Sequence, residues 1–171
     1  MKGQVDRNTE NPIKTGLLLI LIAVIYIVAF PFLLPRILRG ICLRLKFRNA
    51  AIKQDKFIIF VYSDSPNWKY YIEENILPQI QDHTILLNWS NRNQWDKTSW
   101  VVKAFQHWGG KENFNPLAIV FCNLFKVRVI RFYNAFYDLK RGKVIPLQKA
   151  ETQLLDLMKA SKKTKPLQNN S

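Results

Sequence analysis

The sequence predicts an α/β protein in which one apolar helix precedes a single α/β domain. A run of twenty residues carries no charge, the next twenty are rich in cations, and the remainder alternates strand-like with helix-like segments. The chain has 171 residues and a formal charge of +14. The predicted segments are a polar tail (1–15), an apolar helix (16–35), a basic segment (36–56), an α/β domain (57–160) and a basic tail (161–171).

The apolar run from Gly16 to Pro35 has the length and composition of a membrane-spanning helix. At about 1.5 Å per residue it forms a helix of roughly 30 Å, the thickness of a bilayer's hydrocarbon core. A cleaved signal peptide would have a shorter apolar region and a small-residue cleavage site, whereas this run ends in Leu34-Pro35-Arg36. A core helix would rarely be apolar on all sides over this length. We therefore expect one transmembrane helix, with Pro31 and Pro35 near its C-terminal end.

The basic segment that follows predicts the orientation of this helix. Seven cations and one acid lie in residues 36–56, against three cations and two acids in residues 1–15. Because the side richer in cations stays cytoplasmic, we expect the N-terminus outside and the α/β domain in the cytosol. Ile37, Ile41 and Leu45 recur at helical spacing, which favours an amphipathic helix on anionic headgroups over a solvated linker helix. The candidate headgroup-binding residues are Arg36, Arg39, Arg44, Lys46 and Arg48.

The α/β domain is predicted from apolar runs and the amphipathic segments between them. The predicted strands are Phe57–Tyr62, Thr84–Trp89, Leu117–Cys122 and Lys126–Tyr133, with a possible short strand at Lys143–Leu147. The first predicted helix starts at Pro66, and Pro78 is expected to kink or end it near Leu77. The second spans Thr98–Trp108, and the last closes the domain at Glu151–Lys159. The resulting order, β-α-β-α-β-β-α, predicts parallel strands first and an antiparallel hairpin later.

This order, with a proline immediately before the third strand, resembles the thioredoxin-like fold. In that family two βα units precede a hairpin and a last helix, and a cis-proline opens the third strand; the matching position here is Pro116. The resemblance covers Phe57–Met158. The family's CxxC redox site falls on Ser65–Trp68 (SPNW), which contains no cysteine. Because thiol–disulfide exchange needs a thiolate and a resolving thiol, the resemblance implies the fold without the redox chemistry.

Two segments at the predicted carboxyl edge of the sheet are candidates for a binding site. The turn after the first strand could bind an anion at the helix N-terminus, although a capped helix start explains the same residues. The loop after the second strand, rich in tryptophan and amides, is either a recognition loop or a loop whose tryptophans cover the core or reach headgroup level. The candidate binding residues are Asp64, Ser65, Asn67, Trp68, Trp89, Trp95 and Pro116.

The sequence contains no recognisable catalytic, cofactor or metal motif. No Ser-His-Asp arrangement, HExxH, P-loop or GxGxxG pattern is found, and His83 and His107 stand alone. Cys42 and Cys122 are far apart in the chain, which is consistent with a reducing compartment. We expect neither a cofactor nor a metal, and no enzyme activity follows from these residues.

We therefore expect a single-pass membrane protein that presents a non-catalytic thioredoxin-like domain for protein interaction at the cytosolic membrane surface. Its expected partners are the lipid bilayer, anionic headgroups and another membrane-proximal protein. One alternative is an enzyme or small-ligand binder that uses the Tyr62–Lys69 turn and Pro116 without a thiol. The other is a charge-driven binder of anionic lipid or nucleic acid, although no nucleic-acid motif is found.

Overall fold

The computed structural model describes residues 12–110, 115–123 and 126–163. The chain divides into two compact units, Met1–Gly40 and Ile41–Ser171. Most of the two predicted tails, 1–15 and 161–171, lies outside the described residues.

The first helix, α1, runs from Pro12 to Gln54, so Pro31 and Pro35 lie inside it rather than near its end. Its segments Thr15–Tyr26 and Val28–Gln54 meet at a bend of 42°. The bend falls four residues before Pro31, where the missing proline N–H leaves a carbonyl without its helical donor. Within the described part of the chain, no single helix is long and apolar enough to cross a bilayer; only the bent pair meets the length and composition required.

A four-stranded mixed sheet forms the centre of the second unit, and the prediction of a mixed α/β architecture is confirmed. The strands are β1 (Ile58–Tyr62), β2 (Thr84–Asn88), β3 (Leu117–Phe121) and β4 (Val127–Arg131). Their order is β2-β1-β3-β4, with β1 parallel to β2 and antiparallel to β3, and β3 antiparallel to β4. The predicted short strand at Lys143–Leu147 is wrong, because a helix begins at Ile145.

The helices of this unit depart further from the sequence prediction. They are α2 (Lys69–Tyr71), a π-helical turn (Ile72–Ile76), α3 (Leu77–Ile80), α4 (Trp100–Ala104), a second π-helical turn (Phe105–Gly109), α5 (Tyr133–Lys140) and α6 (Ile145–Lys163). Short 3-10 turns occupy Gln81–His83 and Trp89–Gln94. Pro78 does not end the helical connection between β1 and β2. The Leu77 N–H already donates to the Ile72 carbonyl, five residues back, so the helical hydrogen bonds change register before the proline removes a donor.

Helices cover both faces of the sheet. Phe60 pairs with Ala118, and Phe121 lies an odd number of residues further along β3, so Phe60 and Phe121 point to opposite faces. The Phe60 ring lies 5.8 Å from that of Phe132, the residue before α5. On the other face, Phe121 stacks on Phe47 of α1 with ring centroids 3.6 Å apart. The core therefore lies on both sides of the four strands.

The C-terminal part of α1 belongs to this core. Leu43 and Phe47, one helical turn apart, are 4% and 5% exposed. Ile41 and Leu45, part of the apolar stripe expected from the sequence, are instead 46% and 47% exposed. One face of this helix thus packs on the sheet, while the predicted stripe remains uncovered.

Candidate functional site

The carboxyl ends of β1 and β2 lie side by side. Tyr62, the last residue of β1, pairs with Asn88, the last residue of β2. The turn 63–68 and the loop 89–95 therefore leave the sheet at the same edge, where open α/β sheets bind their ligands. The structure brings together the two segments that the sequence nominates.

Asp64 joins these two segments. The Asn88 amide donates to both Asp64 carboxylate oxygens at 3.1 Å, and the Asp64 N–H donates to Ser90 Oγ at 2.9 Å. The Lys69 ammonium lies 2.8 Å from Asp64 Oδ1. The hydrogen bond from Lys69, and then that from Asn88, holds the pKa of the Asp64 carboxyl below its usual range. These bonds give Asp64 a structural role, which is to link the turn after β1 to the end of β2 and the loop after it.

Ser65 and Asn67 shape the start of the helical connection. The Ser65 carbonyl accepts hydrogen bonds from the N–H groups of Trp68 at 3.2 Å and Lys69 at 3.0 Å, and its hydroxyl accepts from the Asn67 N–H at 3.4 Å. These bonds close the turn before α2, which begins only at Lys69 after an N-cap residue, Trp68, whose side chain makes no capping hydrogen bond, so the capped helix start predicted at Pro66 is wrong. The Asn67 side-chain oxygen accepts a hydrogen bond from the Lys140 ammonium at the end of α5. The turn is thereby tied to α5.

An aromatic cleft of about 210 Å³, here called the Trp68 cleft, opens between this turn and α5. The Trp68 ring lies 6.1 Å from Tyr133 and 6.2 Å from Phe136, and its indole N–H donates to Ser63 Oγ at 3.2 Å. Tyr133 and Tyr137 keep 36% and 53% of their surface exposed. The cleft is lined by Asn67, Trp68, Tyr133, Phe136, Tyr137 and Lys140. It offers an oriented indole, two accessible phenols and a cation on one concave surface.

Trp89 and Trp95 form a separate cluster. Their rings meet edge to face at 5.5 Å, and each contacts Phe105, at 5.7 and 5.8 Å. The Trp95 indole N–H donates to the Asn88 carbonyl at 3.1 Å, and the Arg92 guanidinium lies 5.1 Å from the Trp89 ring centre. A second cleft of about 210 Å³ beside them is lined by Trp89, Arg92, Asn93, Trp95, Lys97, Val102, Phe105 and Gln106. Packing over the core, one of the two sequence interpretations, accounts for both tryptophans.

Pro116 lines neither of these two clefts. It is buried immediately before β3, and the peptide bond between Asn115 and Pro116 is cis. Its carbonyl accepts a hydrogen bond from the Phe132 N–H at 2.8 Å. Pro116 is thus bonded to the residue before Tyr133 but does not itself line the Trp68 cleft.

Tyr62, Lys69 and Glu73 form a polar chain beside the turn. The Tyr62 hydroxyl donates to Glu73 Oε1 at 3.3 Å, and the Lys69 ammonium lies 4.0 Å from the same oxygen. Burial, and then the negative charge of Glu73, raises the pKa of the Tyr62 phenol still further above neutral pH. A protonated phenol can donate a hydrogen bond but cannot act as a general base.

The remaining nominated residues lie on α1. Arg36, Arg39, Lys46 and Arg48 are exposed, and Arg44 is half-buried. Among the described residues, no three His, Cys, Asp or Glu side chains are grouped closely enough to hold a metal ion.

Sequence reasoning missed the α5 side of the Trp68 cleft. The sequence predicts Tyr133 as the end of a strand, whereas it is the first residue of α5. The spacing of Tyr133, Phe136, Tyr137 and Lys140 is helical and would have been the available signal.

Comparisons with protein-family models, with curated proteins and with solved structures found no match to this chain.

Proposed function

We propose that this chain is a single-pass membrane protein whose C-terminal unit is a non-catalytic, thioredoxin-like binding domain that engages another protein near the bilayer. The observation that carries the proposal is the Trp68 cleft. Trp and Tyr are enriched where proteins bind partners, because they bury a large area with few rotatable bonds.

The sheet supports a thioredoxin-like interpretation of the fold. Two parallel strands joined through a helix are followed by an antiparallel hairpin, in the order β2-β1-β3-β4, and helices lie on both faces. Pro116 precedes β3 in the cis form that the resemblance implies.

The chemistry of the turn supports binding rather than redox catalysis. Ser65–Trp68 occupies the position of the family's redox motif and contains only hydroxyl, amide and indole groups. The Ser65 hydroxyl accepts a hydrogen bond from the Asn67 N–H, and the Asn67 amide oxygen accepts one from Lys140. None of these groups can attack or resolve a disulfide.

Residues 16–35 support the membrane anchor. Large apolar side chains are exposed throughout the described part of this run, including Leu17 at 64%, Ile25 at 57% and Phe32 at 79%. Contact with lipid would remove this apolar surface from water. The excess of cations in residues 36–56 favours a cytosolic C-terminal unit, and the exposed Ile41 and Leu45 suit a helix that touches the headgroup layer.

Site-specific photo-crosslinking of the full chain in its native membrane tests the binding site. A benzophenone amino acid would replace Tyr137, which lines the cleft, or Tyr70, which is 75% exposed and does not line it. We expect a discrete protein adduct from position 137, lost when Trp68→Ala removes the cleft wall, and no such adduct from position 70. The same adducts at both positions, or none at 137, would contradict the proposal.

A further inference from the structure

The turn between α5 and α6 exposes two adjacent apolar side chains. Val144 is 47% exposed and Ile145 is 76% exposed, whereas Leu147, two residues on, is 1% exposed. A single exposed aliphatic residue is ordinary on a protein surface. The pair Val144 and Ile145 differs from such a residue because positively charged side chains surround it.

Residues 140–149 carry four cations and no acid: Lys140, Arg141, Lys143 and Lys149. In the part of the chain that the structure describes, none of these four forms an ion pair. The Arg141 guanidinium lies 4.3 Å from the Tyr137 ring centre and donates to its hydroxyl at 2.9 Å, which leaves other N–H donors on its guanidinium. The nearest acids along the chain, Asp138 and Glu151, lie outside this stretch, and Lys140 also donates to Asn67, so the apolar tip is bordered by an excess of cations.

The backbone of the turn fixes this arrangement. The N–H groups of Arg141 and Lys143 both donate to the Asp138 carbonyl at 3.0 Å, and the Gly142 N–H donates to Leu139 at 2.9 Å. Gly142 has φ of 80°, the left-handed conformation with which helices commonly end. The tip is therefore presented by a hydrogen-bonded connection between two helices.

We infer that this turn is a second membrane-contact site, which inserts Val144 and Ile145 among acyl chains while the neighbouring cations bind lipid phosphates. An aliphatic pair edged by cations matches an anionic bilayer surface in both polarity and charge, since the apolar side chains leave water and Lys and Arg reach the headgroups. The tip is too small to form a stable protein–protein interface by itself. The inference rests on the proposed function, because the anchor supplies the nearby bilayer.

Electron paramagnetic resonance on the full chain in nanodiscs tests this site. In a background with Cys42→Ser and Cys122→Ala, a nitroxide is placed at Val144→Cys, with Ile145 intact. The accessibility of the label to oxygen and to a water-soluble nickel chelate is compared between zwitterionic and phosphatidylserine-containing nanodiscs. We expect position 144 to change from chelate-accessible to oxygen-accessible when anionic lipid is present, and to revert in Arg141→Gln/Lys143→Gln chains or at high salt.

Two further labels separate this inference from the proposed function. Gln79→Cys, on an exposed position of α3, should stay chelate-accessible in both lipids. Val24→Cys reports the anchor and should be oxygen-accessible in both. A chelate-accessible label at 144 in anionic nanodiscs overturns the second site whatever position 24 shows. A chelate-accessible label at 24 overturns the anchor, whatever position 144 shows.

Discussion

Replacing Phe47 with alanine tests whether the C-terminal part of α1 is an integral part of the second unit's core. Phe47 is 5% exposed, stacks on Phe121 at an interplanar angle of 13°, and meets Trp100 edge to face at 5.9 Å. Truncation removes roughly 150 Å² of buried apolar surface beyond what alanine retains, or about 4 kcal/mol at ~25 cal/mol per Å². That value lies within the range of about 3–5 kcal/mol for Phe→Ala substitutions in cores.

The assay is urea unfolding of the full chain in detergent micelles, followed by the fluorescence of its five tryptophans, all of which lie in the second unit. Leu45→Ala is the matched control, two residues away on the same helix but 47% exposed, and should cost less than about 1 kcal/mol. Equal losses for Phe47→Ala and Leu45→Ala would refute the reasoning, because burial would then not distinguish the two faces of the helix.

Three further changes have defined outcomes. Asp64→Asn should flatten the acid side of the stability–pH profile, because Lys69 and Asn88 depress the pKa of Asp64 in the folded state. The stability that Asp64 contributes is therefore present above about pH 4 and is lost as the pH falls through its folded-state pKa. Thermal melts at several pH values measure this loss, and an unchanged profile would contradict the role of Asp64 as a structural link. Trp95→Ala should lower the free energy of unfolding in urea by about 2–3 kcal/mol, since it removes the indole hydrogen bond to the Asn88 carbonyl and the edge-to-face contacts of the ring. A loss below about 0.5 kcal/mol would mean that Trp95 does not pack on the core. Gly142→Ala should lower the free energy of unfolding by about 1 kcal/mol through the left-handed φ alone, because the added Cβ would meet open space. Calorimetry should show a fall of a few degrees in Tm, and no fall would mean that the turn relaxes to another conformation.

The strands could be predicted within two residues of their observed ends, because continuous β-branched and aromatic runs such as Ile58–Tyr62 leave little alternative to a buried strand. The helical connections could not. The connection between β1 and β2 stays helical past Pro78, because a π-helical turn precedes the proline. The apolar Val144 and Ile145 suggest a strand but are exposed where α6 begins. Local sequence patterns do not reveal a π-helical turn or an exposed apolar pair, because both depend on the tertiary structure.

The candidate site shows the same division. The sequence nominates Asn67 and Trp68 because they follow a strand at the edge where α/β sheets bind ligands. It does not reveal that Lys140, 73 residues further on, donates a hydrogen bond to Asn67, or that Tyr133 completes the aromatic wall. Contacts of this separation depend on how the late hairpin and α5 pack, which no local spacing encodes.

The proposed function depends most directly on residues 16–35 lying within a bilayer. Alkaline carbonate extraction of membranes that contain the full chain separates integral proteins from those held by charge alone. The account predicts that the chain stays in the membrane pellet at high pH. Quantitative release into the supernatant would contradict it, since cationic contacts to headgroups, unlike a buried apolar helix, do not survive that treatment.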